Sequence, residues 1–396
     1  MEQELKGEEM ANQSVAKPRF YLDFTQLAKA KGYIWSENLE DLGTNLEDNN
    51  DPKNSNVWDF DYTKTTNYTA VTSASGYFTF KMTPFWTTVW DQVEDNLNLE
   101  WCKLMGTANF AGVINHNLNT RAVESNNVEF FMHIYWHSGI SNTTMGTIDN
   151  IVNSRAITSD GYSFCEWTPD NQYPVTEPHR YSQFNLQFSG GSVGDDMNFD
   201  IGAITFGKYI DMPHSPDLSV KKSVEYDGVK IKRSLGGSDL VQINHQGHPD
   251  WLGGEPWTRK DYASNGRVGR NGRRSWDLNF SYISNDDLFY DLNERVVGGS
   301  ADSDGDTEQF FDSTSEIQQI WDLTLGGALS FVFCPDKDAT NLEFAVCRLE
   351  QDSLVATQVA YQTWNISMSV VEVWYSDSAR VFYCKTKSRC KPYNSI

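Results

Sequence analysis

Few residues in this chain are spaced as a reaction or a bound ligand would require. The loop Asp302-Ser303-Asp304-Gly305-Asp306-Thr307-Glu308 sets carboxylates at alternate positions, as calcium loops do. Asp302, Asp304 and Asp306 are the candidate metal ligands, and calcium is the one cofactor the sequence suggests. The glycine falls fourth instead of sixth, and the twelfth position is Ser313 instead of Glu. A solvated loop feeding a helix is therefore the favoured reading. His245-Gln246-Gly247-His248 would hold two imidazoles close together but lacks a third ligand in register. His133 and His137 lie four apart in a strand-like run, about 13 Å along it, too far to share a metal. His116, within Ile114-Asn115-His116-Asn117-Leu118, reads as a turn residue bonding its neighbours. No G-x-S-x-G elbow is present, so nucleophilic hydrolysis finds no support and no catalytic residue is assigned.

The basic residues Arg259, Lys260, Arg267, Arg270, Arg273 and Arg274 are interleaved with Gly266, Gly269 and Gly272. Gly-Arg spacing of this kind follows a phosphate backbone without reading sequence. The chain as a whole carries a net charge of −22, which argues against nucleic acid as its partner. The favoured reading is a contact with an acidic neighbouring subunit through Arg267, Arg270, Arg273 and Arg274. The asymmetry is local: residues 208–274 hold 12 Lys+Arg against 8 Asp+Glu. Trp251, Trp257 and Trp58 would stack on sugar rings, although a packed core is the commoner fate of a tryptophan in a β fold.

The elements that must position these residues read as mainly β. A length of 396 residues suggests two or three domains, and 13% aromatic content suits sheet faces. Residues 1–18 read as a disordered, charged arm. Phe20 to Gly32 reads as a short helix, with Phe20, Phe24, Leu27 and Ala28 on one face. Over 19–210 the strands at 77–82, 128–136 and 184–188 alternate with a period of two, the pattern of a jelly roll or sandwich.

The run 199–228 is the seam of the chain. Phe199, Ile201, Ala203 and Thr205 share one parity and Ile204 and Phe206 the other, as in a central strand buried on both faces. Pro213 and Pro216 stop the ladder, and Leu218, Val220 and Val224 start a strand that Asp227-Gly228 would close as a hairpin.

A second β-rich domain, a sandwich or barrel with one or two short helices, is expected over 211–376. Its cleanest strand is 275–283, with Trp276, Leu278, Phe280 and Tyr282 facing one way. Asn285 or Asp286 would cap a short helix bearing Leu288, Phe289 and Leu292. Ser313 and Glu316 form a capping box for a helix over 314–325, striped by Ile317, Ile320 and Trp321 and ended by Gly326-Gly327. Residues 377–396 form a basic tail.

The start MEQELKGEEMANQ is acidic and polar, unlike a signal peptide, and no run of about 18 apolar residues is long enough to insert in a membrane. Six scattered cysteines do not make a disulfide framework, and Cys334 and Cys347 read as buried thiols.

The order of IGAITFGKYIDMPHSPDL at 201–218, YDG at 226–228, SLGG at 234–237, GRRSWDLNFSYIS at 272–284 and VEVW at 371–374 resembles a group of minor structural proteins of tailed bacteriophages. GVINHNL at 112–118 is similar to a turn in the same proteins, so the resemblance spans roughly 110–375. It implies a non-enzymatic virion component of the tail tip, baseplate or fibre-attachment region, with a first domain similar to galactose-binding-like jelly rolls. The implied partners are copies of the chain and other virion proteins, assembled in the host bacterial cytoplasm. Two alternatives stand beside it. One is a carbohydrate-binding module for host attachment through Trp251 and Trp257. The other is a glycan-degrading tail enzyme, which needs a carboxylate pair in a cleft.

Overall fold

The computed structural model describes residues 15–31, 39–43, 57, 60–70, 75–82, 107–124, 129–137, 148–167, 182–189, 197–226, 229–243, 248, 251–252, 256–257, 272–289, 316–339 and 342–374. Its first ten strands are β1 (Arg19–Asp23), β2 (Leu39–Gly43), β3 (Thr66–Ala70), β4 (Ser75–Met82), β5 (Phe110–His116), β6 (Glu129–His137), β7 (Ile148–Ala156), β8 (Gly161–Glu166), β9 (Ser182–Ser189) and β10 (Met197–Asp211). The remainder are β11 (Lys221–Glu225), β12 (Val229–Arg233), β13 (Asp239–Ile243), β14 (Arg273–Ser284), β15 (Phe331–Cys334), β16 (Ala345–Leu349), β17 (Ala356–Ala360) and β18 (Thr363–Glu372). Among the described residues four short helices accompany them: α1 (Phe24–Lys31), α2 (Leu118–Glu124), α3 (Asn285–Leu288) and α4 (Glu316–Leu323). The fold is mainly β and sandwich-like.

Every strand pairing among the described residues is antiparallel. The large sheet runs β11-β14-β18-β16-β15-β1-β10-β5-β8, with β17 added on β18 and β3 on β10. A five-stranded sheet runs β2-β4-β9-β6-β7, and β12 and β13 pair with each other as a separate ribbon. The division expected at 210/211 falls at the end of β10, and the large sheet continues across it. Strand β1 is the bridge: Phe20 pairs with Ile210 on one side and with Phe333 on the other. The first and last thirds of the chain thus share one hydrogen-bonded ladder.

Strand β10 earns its central place from side chains that suit burial on both faces. Phe199, Ile201, Ala203, Ile204, Thr205 and Phe206 are all buried. One edge of the strand pairs with β5, and the other pairs first with β3 and then with β1. The larger core forms on one face of the sheet, where Phe20, Leu22, Phe206, Trp276, Phe280, Phe331, Ile366 and Met368 meet helix α4 through Ile317, Ile320 and Trp321. A second, aromatic cluster holds Tyr21, Phe60, Tyr62, Phe110, Tyr162, Phe164, Trp251 and Phe344.

Several local expectations change in the structure. Phe20 belongs to a strand, and the helix begins only at Phe24. The switch is made by Asp23, whose Oδ2 accepts from the Gln26 backbone N–H at 2.9 Å as an N-cap. Strand β11 does not form a hairpin with β12 across Asp227-Gly228; it joins β14 instead, Ser223 opposite Ser275. Tyr282 leaves the face of Trp276, Leu278 and Phe280, because a bulge between Phe280 and Ile283 shifts the register. With φ of 63°, Tyr282 turns to solvent and Ile283 takes the buried position. Ser284 caps α3, its Oγ accepting from Asp287 N–H.

Helix α4 spans 316–323 and buries the expected stripe, whereas Ser313 lies outside the described residues. Leu325, Gly326 and Gly327 all have positive φ beyond its end, and Gly326 N–H closes the last turn on Trp321 O at 2.8 Å. A Cβ at Gly327 would sit 2.9 Å from Leu349 Cβ, so the position needs glycine for space as well as for φ. Cys165, Cys334 and Cys347 are buried thiols, and burial pushes Cys334 up to about 12. Among the described residues no helix is long and apolar enough to cross a membrane.

Candidate functional site

The residues singled out by sequence scatter. Asp302, Asp304 and Asp306 lie outside the described residues, as do Arg267 and Arg270. Arg274, expected at a subunit contact, is turned inward. It is 5% exposed, at the start of β14, and its guanidinium is taken up by Glu372, Glu343 and the carbonyl of Phe344. Burial works against its charge, but the carboxylates of Glu372 and Glu343 more than compensate and hold its pKa above the ordinary value. Arg273 is half-buried, with its guanidinium carbon 5.1 Å from the Trp374 ring centre. The reason for the difference is β alternation: consecutive residues on a strand point to opposite faces, so two adjacent arginines share no rim.

Trp251, the residue expected to stack on sugars, is turned inward. It is 4% exposed and packs edge-on against Tyr62 at 5.8 Å and against Trp257 at 4.7 Å. Trp257 is half-buried in the same cluster, held with φ of 59°. The preceding turn is stitched to the sheet through Asn115, which accepts from Leu252 N–H and donates to Tyr62 O. His248 is buried beside Tyr62 and Trp374. His245 lies outside the described residues. Among the described residues no group of three His, Cys, Asp or Glu is placed to hold a metal.

His116 closes β5 fully buried, and it does bond its neighbours. Its Nδ1 accepts from Leu118 N–H at 3.4 Å and its Nε2 lies 3.1 Å from Ser163 Oγ. A backbone donor on Nδ1 places the proton on Nε2, which then donates to the hydroxyl. A nucleophile's base needs the reverse polarity. Burial lowers the imidazole to about 4, against a smaller opposing pull from Asp160.

One polar constellation was missed by sequence reasoning. Arg19 reaches Asp211 with Nε and Nη2 at 2.6 and 2.9 Å and Glu166 with Nη1 at 2.6 Å. Tyr21 donates to the other Glu166 oxygen at 2.5 Å, and the guanidinium stacks 3.9 Å from the Tyr209 ring centre. Burial and then Glu166 push the Tyr21 hydroxyl well above its ordinary pKa. These partners are separated by 145 to 192 residues, so no local spacing announces them. The period-two alternation of Arg19 and Tyr21 against Phe20 and Leu22 is the signal that would have found the strand. Beside Glu166, a shallow cleft of about 80 Å³ is lined by Tyr162, Phe164, Leu342 and Phe344. Ligand pockets for small molecules run to roughly 300–1,000 Å³, so this one suits a few waters. Both carboxylates clamp one guanidinium, an arrangement that fixes three strands together.

What the fold leaves uncovered is a different surface. The β12–β13 ribbon pairs Val229 with Ile243, Ile231 with Val241 and Arg233 with Asp239 on one face, and Lys230 with Gln242 and Lys232 with Leu240 on the other. Val229, Ile231, Leu240 and Val241 are all exposed, and Leu235 at the tip is fully so. No family model matches the chain, and no curated protein or solved structure matches it.

Proposed function

We propose that this protein is a non-enzymatic structural component of a tailed-phage virion, placed in the tail tip, baseplate or fibre-attachment region. It would assemble from copies of itself and other virion proteins in the host bacterial cytoplasm. The β2-β4-β9-β6-β7 sheet would belong to a jelly-roll-like unit. The observation that carries the reading is the β12–β13 ribbon, a formed hairpin whose apolar residues are exposed on both sides. Two-stranded hairpins are marginal in water, and exposed strand edges invite pairing, so such a ribbon suits a subunit that is covered on assembly. The order of motifs along 110–375 supports the same conclusion. For the alternative of host-glycan attachment, Trp251 is buried and Trp257 half-buried, while Tyr282 and Tyr361 are exposed.

The test is composition of purified infectious particles by mass spectrometry, with antibody labelling in electron micrographs. The expected result is a fixed copy number per particle and label at the tail end. A protein made during infection but missing from washed particles would overturn the proposal.

A further inference from the structure

We propose that the β12–β13 ribbon of one copy docks against the free edge of β17 in a second copy of this chain. The inference rests on the assembly reading above and names its partner. The ribbon is built to project. Its five pairs run in unbroken register from Val229 opposite Ile243 to Arg233 opposite Asp239. The tip is closed by its own hydrogen bonds: Gly237 N–H to Ser234 O at 2.9 Å, Ser238 N–H to Ser234 Oγ at 3.0 Å and Ser234 N–H to Ser238 O at 2.8 Å. Gly237 takes the positive φ of 83° that this turn demands. The shape is held locally, and Val229, Ile231 and Val241 are left facing solvent at 41, 66 and 56% exposure.

The receiving surface lies on the same molecule. Strand β17 pairs on one side with β18, from Ala356 opposite Ile366 to Ala360 opposite Thr363. Among the described residues no strand pairs with its other side. Val359 on it and Val355 and Tyr361 just beyond its two ends are exposed, a second apolar strip about as long as the ribbon. Glu350 and Asp352 stand exposed on the approach to that strand.

Charge decides between the ways two copies can meet. Ribbon against ribbon, edge to edge, would bring Lys230, Lys232 and their copies together on one face, which like charges oppose. Ribbon against the β17 edge, in the manner of an added strand, continues one apolar face with another and brings the lysines to a strand that the acidic Glu350 and Asp352 precede. In a chain of net charge −22, a locally basic arm finds its complement on its own kind. Made reciprocally, a contact between two different patches closes a two-fold dimer; made in one direction only it is heterologous and closes into a ring or grows as a fibre.

The experiment measures mass in solution by light scattering and sedimentation on the full chain, at low and high salt. Wild type is expected to form a dimer or larger assemblies that shrink as salt rises. Ile231→Lys with Val241→Asp puts an opposite-charge pair across the ribbon, which keeps its two strands together and blocks its apolar face, and Val359→Asp with Tyr361→Asp blocks the edge. Each variant alone is expected to be monomeric, with circular dichroism and melting like wild type, because all four side chains are exposed. Mixed in equal amounts, the two variants retain one intact ribbon and one intact edge between them, so they are expected to form a dimer and nothing larger. A monomeric wild type, an assembly indifferent to Ile231→Lys with Val241→Asp, or a mixture that stays monomeric would each overturn the docking. A monomer that is nevertheless found in particles would overturn the docking alone, with another virion protein as the ribbon's partner. Assembly through the ribbon by a protein missing from particles would overturn the virion reading alone.

Discussion

Arg274 donates to Glu372 three times over: its backbone N–H to Oε2 at 3.0 Å, Nε to Oε2 at 3.2 Å and Nη2 to Oε1 at 2.9 Å. The two side chains are 5% and 1% exposed. A carboxylate and a guanidinium this deep are costly to desolvate, and removing Glu372 leaves the buried Arg274 with Glu343 as its one remaining carboxylate in the cluster. Glu372→Ala is therefore expected to cost about 3–5 kcal/mol, read from denaturant midpoints. Replacing both, Arg274→Met with Glu372→Leu, is expected to recover most of that loss, because Glu343 keeps Lys222 at 3.1 Å and no charge of the cluster is then left alone. A single variant as stable as wild type would show that water reaches the pair.

His116 makes stability depend on pH. Its folded-state value is about 4 and its ordinary value 6.5, so between the two the unfolded chain binds a proton that the folded chain refuses. The stabilisation is whole above pH 6.5 and is lost as pH falls through that window. Each unit of difference corresponds to about 1.4 kcal/mol, so the full effect is about 3 kcal/mol. His116→Asn keeps an acceptor for Leu118 N–H and removes the titration. Its stability is expected to be lower than wild type at pH 7 and nearly flat from pH 6.5 to 5. An identical slope in both proteins would assign the pH dependence elsewhere.

How much of this was readable beforehand depends on how far apart the interacting residues stand. Side-chain parity exposed β10 and β14, because Phe199 to Phe206 is apolar on both parities and Trp276, Leu278 and Phe280 alternate with polar residues. The Asp23 cap and its Gln26 three residues on were legible in principle, yet the apolar spacing of Phe20, Phe24 and Leu27 argued for helix. Tertiary pairing of Phe20 with both Ile210 and Phe333 overrode it. The Arg19 clamp was not legible at all, since Glu166 and Asp211 are ordinary acidic residues until β1 is inserted between β15 and β10. Charge counting misled in the same way: Arg274 belongs to a basic run in sequence and to a buried ion pair in space.

The crossing of β1, β10 and β5 leaves no room at Gly207. A Cβ there would lie 2.0 Å from the carbonyl oxygen of Leu22, which is backbone and has nowhere to move. Gly207→Ala must spread a ladder that pairs Gly207 with Asp23 on one side and Phe110 on the other. Overpacking usually costs about 1–3 kcal/mol, and a backbone obstacle puts this variant at or above the top of that range. Gly236→Ala, at the ribbon tip with only Ser234 Oγ at 4.0 Å, is expected to change stability by less than about 0.5 kcal/mol. Thermal melts of the two variants side by side make the comparison.

Trp251 gives a way to separate folding from recognition. Its ring fills the space between Tyr62 and Trp257, and Tyr62 in turn donates to Val373 O at 3.0 Å, so the turn at 251–252 ties the aromatic cluster to the end of β18. Trp251→Ala empties that space and is expected to cost about 3–5 kcal/mol. Trp251→Phe keeps an aromatic ring in it and is expected to lose less. If the tryptophan served a sugar, the two variants would lose glycan-array binding with a stability loss no larger than a surface change brings. A core role predicts the opposite order: melting temperature falls in step with side-chain volume, and any array signal of the folded protein persists in both. A large loss of binding by a Trp251→Phe protein that melts like wild type would return this residue to the surface.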